Sequence, residues 1–307
     1  MMSSSLPKIV APREDKVGLG VAMMALAILF FTGIDTSAKW LILAGLPALQ
    51  VVFVRYAVHF LLSLGLFVPK EGMDALRSAN PWKEALRAVF LLVGTIFNFA
   101  SLKYLPITVT TTIMFAVPVA VTLLAIPVLG EKVGIRRVIA VCVGFLGVAV
   151  VMQPWGTGFH PAMFLNLGAL VFASMYFVMT RMLAGIESNS TMQIWSSGLA
   201  TVCLAPVAVP IWVWPTQPVD YAVLIAIGLF GGFGHICATY AHRLADASLL
   251  APVIYIQLFL AAGASYLVFG TWPTIWTVVG GVIIIASGIY IWQRERAKAM
   301  NAQKRAG

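Results

Sequence analysis

The sequence predicts an all-α membrane protein with ten transmembrane helices arranged as two inverted five-helix repeats. Composition is the first reason: 61% of residues are hydrophobic and 10% are charged, and the mean hydropathy is +0.94, far from the balance of a globular domain. The second is length, since crossing a bilayer core of ~30 Å takes roughly 20 apolar residues, and segments of that size follow one another from Gly18 to Gln293 with short connections. Third, residues 101–153 and 241–293 align at a shift of about 140 residues, the mark of an internal repeat.

The predicted spans are 18–41, 47–68, 84–102, 107–129, 135–153, 162–184, 192–214, 220–241, 248–269 and 274–293. All nine Trp fall near one of these ends: Trp40, Trp82, Trp155, Trp195, Trp212, Trp214, Trp272, Trp276 and Trp292. An indole has one apolar edge and one N–H donor, so it favours the headgroup region. The predicted organisation is a cytoplasmic segment 1–17, a first repeat 18–153, a second inverted repeat 162–293 and a basic cytoplasmic tail 294–307.

Orientation follows from the basic residues, which are retained on the cytoplasmic side of short loops. With the amino terminus inside, 17 of the 20 Lys and Arg fall on that side, including Arg87, which opens the third span. Lys39 and Lys103 fall outside and Arg55 lies within a span. Insertion alone therefore explains the net charge of +9, and no nucleic-acid partner is expected. The basic tail is placed to meet anionic lipid. The first apolar segment has no small-residue cleavage site before or after it, so it reads as a retained span. Cys142, Cys203 and Cys237 sit singly, without metal-ligand spacing.

In the repeat, Lys103 aligns with Arg243, Gly130 with Gly270 and Gln153 with Gln293. Five spans are an odd number, so the second copy enters the membrane upside down. Inverted repeats of this kind surround a midplane site in secondary transporters.

The chain resembles the EamA-type members of the drug/metabolite transporter superfamily over essentially all ten spans. The residues that carry the resemblance are Asp35-Thr-Ser-Ala-Lys39, Phe53-Val-Arg55-Tyr, Arg87, Phe115-Ala-Val-Pro118 with Leu129-Gly-Glu131, and Ala251-Pro-Val-Ile-Tyr255. It departs from the pattern at Gly270-Thr271, where the second half of such proteins often has a Glu after the Gly. The resemblance implies two bundled five-helix repeats around a central cavity in a bacterial inner (plasma) membrane. It also implies carriage of a small organic metabolite, such as an amino acid, S-adenosylmethionine or riboflavin.

Candidate substrate-binding residues are Arg55, His59, Asn98 and Tyr255. Arg55 lies eight residues past Pro47, about 12 Å along a helix, hence near mid-membrane. An Arg at that depth costs ~2.5–3.5 kcal/mol on insertion scales and faces a cavity or a partner. It either clamps a substrate carboxylate or phosphate or ties to helix carbonyls or Asp35. His59, one turn further on the same face, shares that cavity or packs. Asp35 and Lys39 stand at i, i+4 near the outer boundary, spaced for an ion pair at the outer gate or for a coupling ion. Glu131 lies at the inner boundary, where gating and a topology signal are the two readings. Pro118 and Pro252 each release a backbone carbonyl, from Met114 and Ser248, and predict helix kinks along the path or within the packing.

Four classes of function are to be weighed. A passive channel would show charged rings or a repeated filter, and an intramembrane enzyme would show a nucleophile with its base or a metal cluster; neither pattern is present. No phosphate loop for a primary pump is found either. A secondary transporter working by alternating access is the preferred reading, without cofactor or metal, with a small-molecule substrate and gradient coupling to an ion. Small-residue pairs such as Ala140/Gly144 and Gly228/Gly232 allow close helix packing and leave room for a homodimer contact.

Overall fold

Proline and glycine set most of the helix ends. In the computed structural model, which describes residues 16–129, 135–156, 158–183, 186–245 and 250–306, helix α1 runs Val17–Leu43. The chain turns at Gly45, whose φ of 98° suits a residue without Cβ, and α2 covers Ala48–Glu71 after Pro47. A 3₁₀ turn, Gly72–Leu76, leads to α3, Pro81–Leu102, with Pro81 at the helix start where its missing N–H costs nothing. The first half continues with α4 (Ile107–Met114), α5 (Val117–Leu129) and α6 (Ile135–Met152). The second contains α7 (Ala162–Leu183), α8 (Asn189–Ala208) and α9 (Pro218–Leu244). A 3₁₀ turn, Ala251–Tyr255, then leads into α10 (Ile256–Phe269), and α11 spans Ile275–Ala306. All the elements among the described residues are helical.

Six helices among the described residues, α1, α2, α3, α7, α9 and α11, are long and apolar enough to cross a membrane, and shorter apolar helices cover Ile107–Val121, Val138–Met152 and Val253–Phe269. Two predicted segments look different in the structure. The span expected over 107–129 is broken at Phe115–Ala116, just before Pro118; the Ala116 N–H turns back to the Ile113 carbonyl and Pro118 enters α5 in its first turn. The segment expected over 192–214 stops at Ala208, because Pro210 and Pro215 cannot continue it. The last helix, α11, continues past 293 into the basic tail, to Ala306. Pro252 lies in the 3₁₀ turn ahead of α10, so the counterpart of the α4–α5 segment is also irregular near its start.

Contacts give the direction of each helix. Asp35 meets Asn98 and Lys39 meets Leu102, so α1 and α3 run parallel. Arg87 meets Thr180 while Asn98 meets Asn166, so α7 runs against α3. Glu71 meets Ser190 and Gln50 meets Val213 beyond the other end of α8, so α8 runs against α2. Gly20 abuts Ala245 and Gly33 abuts Phe230, which reverses α9 relative to α1 and α3. The first three helices of the second half are therefore inverted copies in direction of the first three. The packing has the same symmetry: α1 on α9 is matched by α3 on α7, α2 on α9 by α3 on α8, and α2 on α8 and α6 on α11 pair with themselves.

The core has two main parts, and neither belongs to one half. Ile34, Leu41, Tyr56 and Phe99 pack with Leu204 and Ile227, while Ile113, Phe115 and Val148 pack with Leu170 and Ile284. α6 and α11 cross where Gly147 and Gly280 bring backbone against backbone. Gly270 closes α10 in the left-handed conformation (φ 65°), and the Thr271 N–H reaches back to the Ser265 carbonyl. At the position where a Glu was expected, Thr271 thus serves as part of a helix cap, its hydroxyl 2.7 Å from that of Ser265.

Candidate functional site

The seam between α2 and α9 holds the most unusual polar groups. Arg55 is 5% exposed, and its Nε and Nη1 are buried without a hydrogen-bond partner. Its guanidinium carbon lies 4.6 Å from the Tyr56 ring centre and 5.9 Å from that of Phe99. Aromatic faces offset part of the cost of the buried charge, yet leave its N–H groups unused. Gly231 leaves this space open: a Cβ there would stand 3.7 Å from Arg55 Nε and 3.9 Å from His59 Nδ1.

His59 follows Arg55 by one turn, is 3% exposed, and has the Gln193 side chain of α8 within reach. Its ring stacks on His235 of α9, centres 5.6 Å apart and planes at 10°; His235 in turn meets Phe31 edge-on at 5.3 Å. Arg55 and two imidazoles thus line one side of the junction between the halves. In the sequence His235 is one polar residue among several in the second half. Only the parallel packing of α2 and α9 brings it to His59.

A second group faces Arg55 from α1 and α3. Asn98 donates to Asp35 Oδ1 at 3.1 Å and accepts from Asn166 Nδ2 at 2.9 Å. Asn166 also lies 3.3 Å from the Ser101 hydroxyl. This chain joins α1, α3 and α7, with Asp35 in the electrostatic reach of Arg55 but not ion-paired to it among the described residues.

The Asp35–Lys39 ion pair expected from their spacing does not form. Lys39 donates instead to the carbonyls of Leu105 at 2.5 Å and Leu102 at 3.2 Å, capping the last turn of α3. Unpaired carbonyls at a helix end carry the negative pole of its dipole, a better partner here than a carboxylate engaged by Asn98. It follows that Asp35→Asn and Lys39→Met should act additively on thermal stability, within about 0.5 kcal/mol, when the two single variants and the double variant are compared in detergent. A larger coupling would restore the ion-pair reading.

Tyr255 makes its contacts in the second part of the core. Its ring meets Phe115 edge-on at 5.5 Å, and its hydroxyl faces Gly288 of α11. It therefore belongs to the packing around the break between α4 and α5. Glu131 lies outside the described residues.

Arg87, which the sequence places at the cytoplasmic edge, has more hydrogen-bond partners than any other cation among the described residues and is 3% exposed. It donates to Thr180 Oγ1 (2.8 Å), Ser196 Oγ (2.8 Å), the Met192 carbonyl (3.2 Å) and Tyr176 Oη (3.1 Å), and is paired with Glu84 at 3.1 Å. The i, i+3 spacing puts Glu84 and Arg87 on one face of α3, and α7 and α8 pack over that face and bury them. Nearby, Glu187 accepts from Ser78 Oγ at 2.7 Å and the Asn80 N–H at 2.8 Å, and Trp195 donates to the Leu76 carbonyl. At the other end Trp40 donates to Asp220 at 2.8 Å, and Gln50 exchanges two bonds with Val213, of 2.8 and 2.9 Å. Both ends of the seam are therefore tied across the halves.

Among the described residues no group of His, Cys, Asp and Glu is placed to hold a metal. The three cysteines are free, Cys142 and Cys203 exposed and Cys237 half-buried.

Inverted helical halves with buried, partly unpartnered polar groups between them define a multi-pass membrane protein of the transporter type. The EamA-like transporter family model matches the chain twice, over residues 18–153 and 160–293, and the chain belongs to that family. An S-adenosylmethionine uptake transporter of Rickettsia prowazekii is 29% identical over 92% of this chain and 95% of the relative. Riboflavin transporters of Rhizobium johnstonii and Vibrio cholerae are 28% and 29% identical, over 93% and 91% of this chain and 94% and 95% of their own lengths. A crystal structure shares the fold with a TM-score of 0.56 at 17% identity, covering 86% of this chain and 94% of that chain.

Proposed function

We propose that this protein is a secondary transporter that carries a small organic metabolite with an acidic group by alternating access, with Arg55 binding that group. The observation that carries the reading is a buried guanidinium, between the inverted halves, whose Nε and Nη1 meet no acceptor. An isolated cation at membrane depth is costly unless a partner or cavity receives it, and a bound carboxylate or phosphate supplies the missing acceptors in a fork geometry. Asp35, held by Asn98 on the opposing side, offers a place for an ammonium. Of the solutes named for the relatives, S-adenosylmethionine has both a carboxylate and an ammonium, whereas riboflavin has neither. The amino-acid-bearing class therefore fits these residues better. Both termini lie on the cytoplasmic side of an inner membrane, as the distribution of Lys and Arg favours.

The test is counterflow in proteoliposomes with labelled S-adenosylmethionine and unlabelled competitors. Saturable exchange, inhibited by amino acids and their conjugates and not by riboflavin, is the expected result. Inhibition by riboflavin alone would overturn the acidic-group assignment, and flux without saturation or counterflow would point to a channel. Topology is checked separately with reporters fused to each end. Both should report the cytoplasm, and a carboxyl-terminal reporter found outside would refute the orientation.

A further inference from the structure

Alternating access requires one end of the seam to part while the other stays shut, and the buried pair at the start of α3 is built for that task. Arg87 sits on the first half, while every neutral acceptor it uses is on the second: Tyr176 and Thr180 on α7, Met192 and Ser196 on α8. Its fifth acceptor, Glu84, lies one turn away on its own helix. Glu84 is 0% exposed, and only Oε2 is engaged; Oε1 is buried without a partner. A carboxylate oxygen left unsatisfied beside a guanidinium with five N–H donors is spare acceptor capacity.

We propose that Arg87 and Glu84 form the latch of the end of the bundle that carries Ser78 and Glu187. This rests on the alternating-access reading, though not on the identity of the solute. With that end shut, Arg87 spends its donors across the seam and holds α3 to α7 and α8. When α7 and α8 draw away, four acceptors leave together, and a guanidinium without them would be stranded in a poorly solvated place. Glu84 travels with Arg87 and takes the freed donors on both oxygens, so the charge stays neutralised in the open state. Arg87 therefore favours the shut end and Glu84 the open one.

The two residues thus make opposite predictions, which a merely structural ion pair does not. The three native cysteines are replaced by Ser, and Ser78→Cys with Glu187→Cys is introduced in every arm, since the parent side chains meet at 2.7 Å; a cysteine at 187 is two atoms shorter than the glutamate, so a short bis-methanethiosulfonate is used to bridge the pair. The rate of bridging then reports how often the end is shut, and needs no substrate. Bridging should stop transport and a reductant should restore it. Arg87→Gln should slow cross-linking by about threefold to tenfold, through loss of the bonds that hold the end shut. Glu84→Gln should speed it, with slower transport, because opening now strands the cation. If Arg87→Gln lowers the yield of folded protein, Arg87→Lys carries the same arm with a smaller slowing. Full transport by the cross-linked protein would overturn the latch, as would shifts of both variants in the same direction. If no solute is found to be transported, the opposite shifts in cross-linking still decide the latch, and only the carrier reading fails.

Discussion

Arg55→Ala is expected to lower transport by about a hundredfold or more. Two charge-assisted bonds to a substrate oxyanion contribute ~1.5–3 kcal/mol each, and each 1.4 kcal/mol is about a factor of ten. Arg55→Lys keeps the charge and loses the planar fork, so a loss of about tenfold or more is expected, as one of two bonds survives. Neither variant removes a hydrogen bond within the protein through Nε or Nη1, since those atoms have none. Folded yield and thermal midpoint should therefore change little. Uptake in proteoliposomes of matched protein content gives the transport values. Unchanged uptake in both variants would remove Arg55 from the binding site, and a parallel fall in folded protein would assign it to packing.

A second large effect is expected at the crossing of α6 and α11. A Cβ on Gly280 would lie 2.6 Å from the Gly147 carbonyl oxygen and 2.5 Å from Val151 Cγ2, and the first of these is backbone that cannot rotate away. Gly280→Ala should cost about 1–3 kcal/mol through overpacking. Gly280→Leu should part the two helices and leave little folded protein, since total stability is of the order of 5–15 kcal/mol. Gly263 is a suitable control, because nothing stands within 4 Å of a Cβ there. Thermal unfolding in detergent compares the three, and a Gly280→Leu protein as stable as the parent would show that the crossing tolerates separation.

Helices were legible in the sequence wherever hydropathy alone decides, and the inversion of the halves was legible from an odd count of spans. Ends were less so. The run Ile211-Trp-Val-Trp214 is apolar enough to read as helix, but Pro210 and the bonds from Gln50 to Val213 hold it as a connection. Spacing also says which residues share a helix face without saying what that face meets. For this reason Asp35 and Lys39 were expected to pair, although a terminal carbonyl cluster takes Lys39 and Asn98 takes Asp35. Arg87 was hidden by a rule that locates charge by loop and cannot see that the start of α3 is buried. The depth of Arg55 was legible, but the stack of His59 on His235 depends on which helices become neighbours and in which direction.

The interleaving of the two halves has a consequence for how the chain is made. Arg87, Gln50 and the apolar faces of α1, α2 and α3 find partners on α7, α8, α9 and the connections beside them. While the ribosome is still making the second half, the first has no complementary surface. A nascent chain halted after α6 holds its polar side chains against lipid or translocon, and becomes a substrate for quality control. Native structure is thus acquired late, and is complete only once α11 has met α6. The halves produced as two separate polypeptides in one cell should protect each other from degradation, whereas either alone should be short-lived.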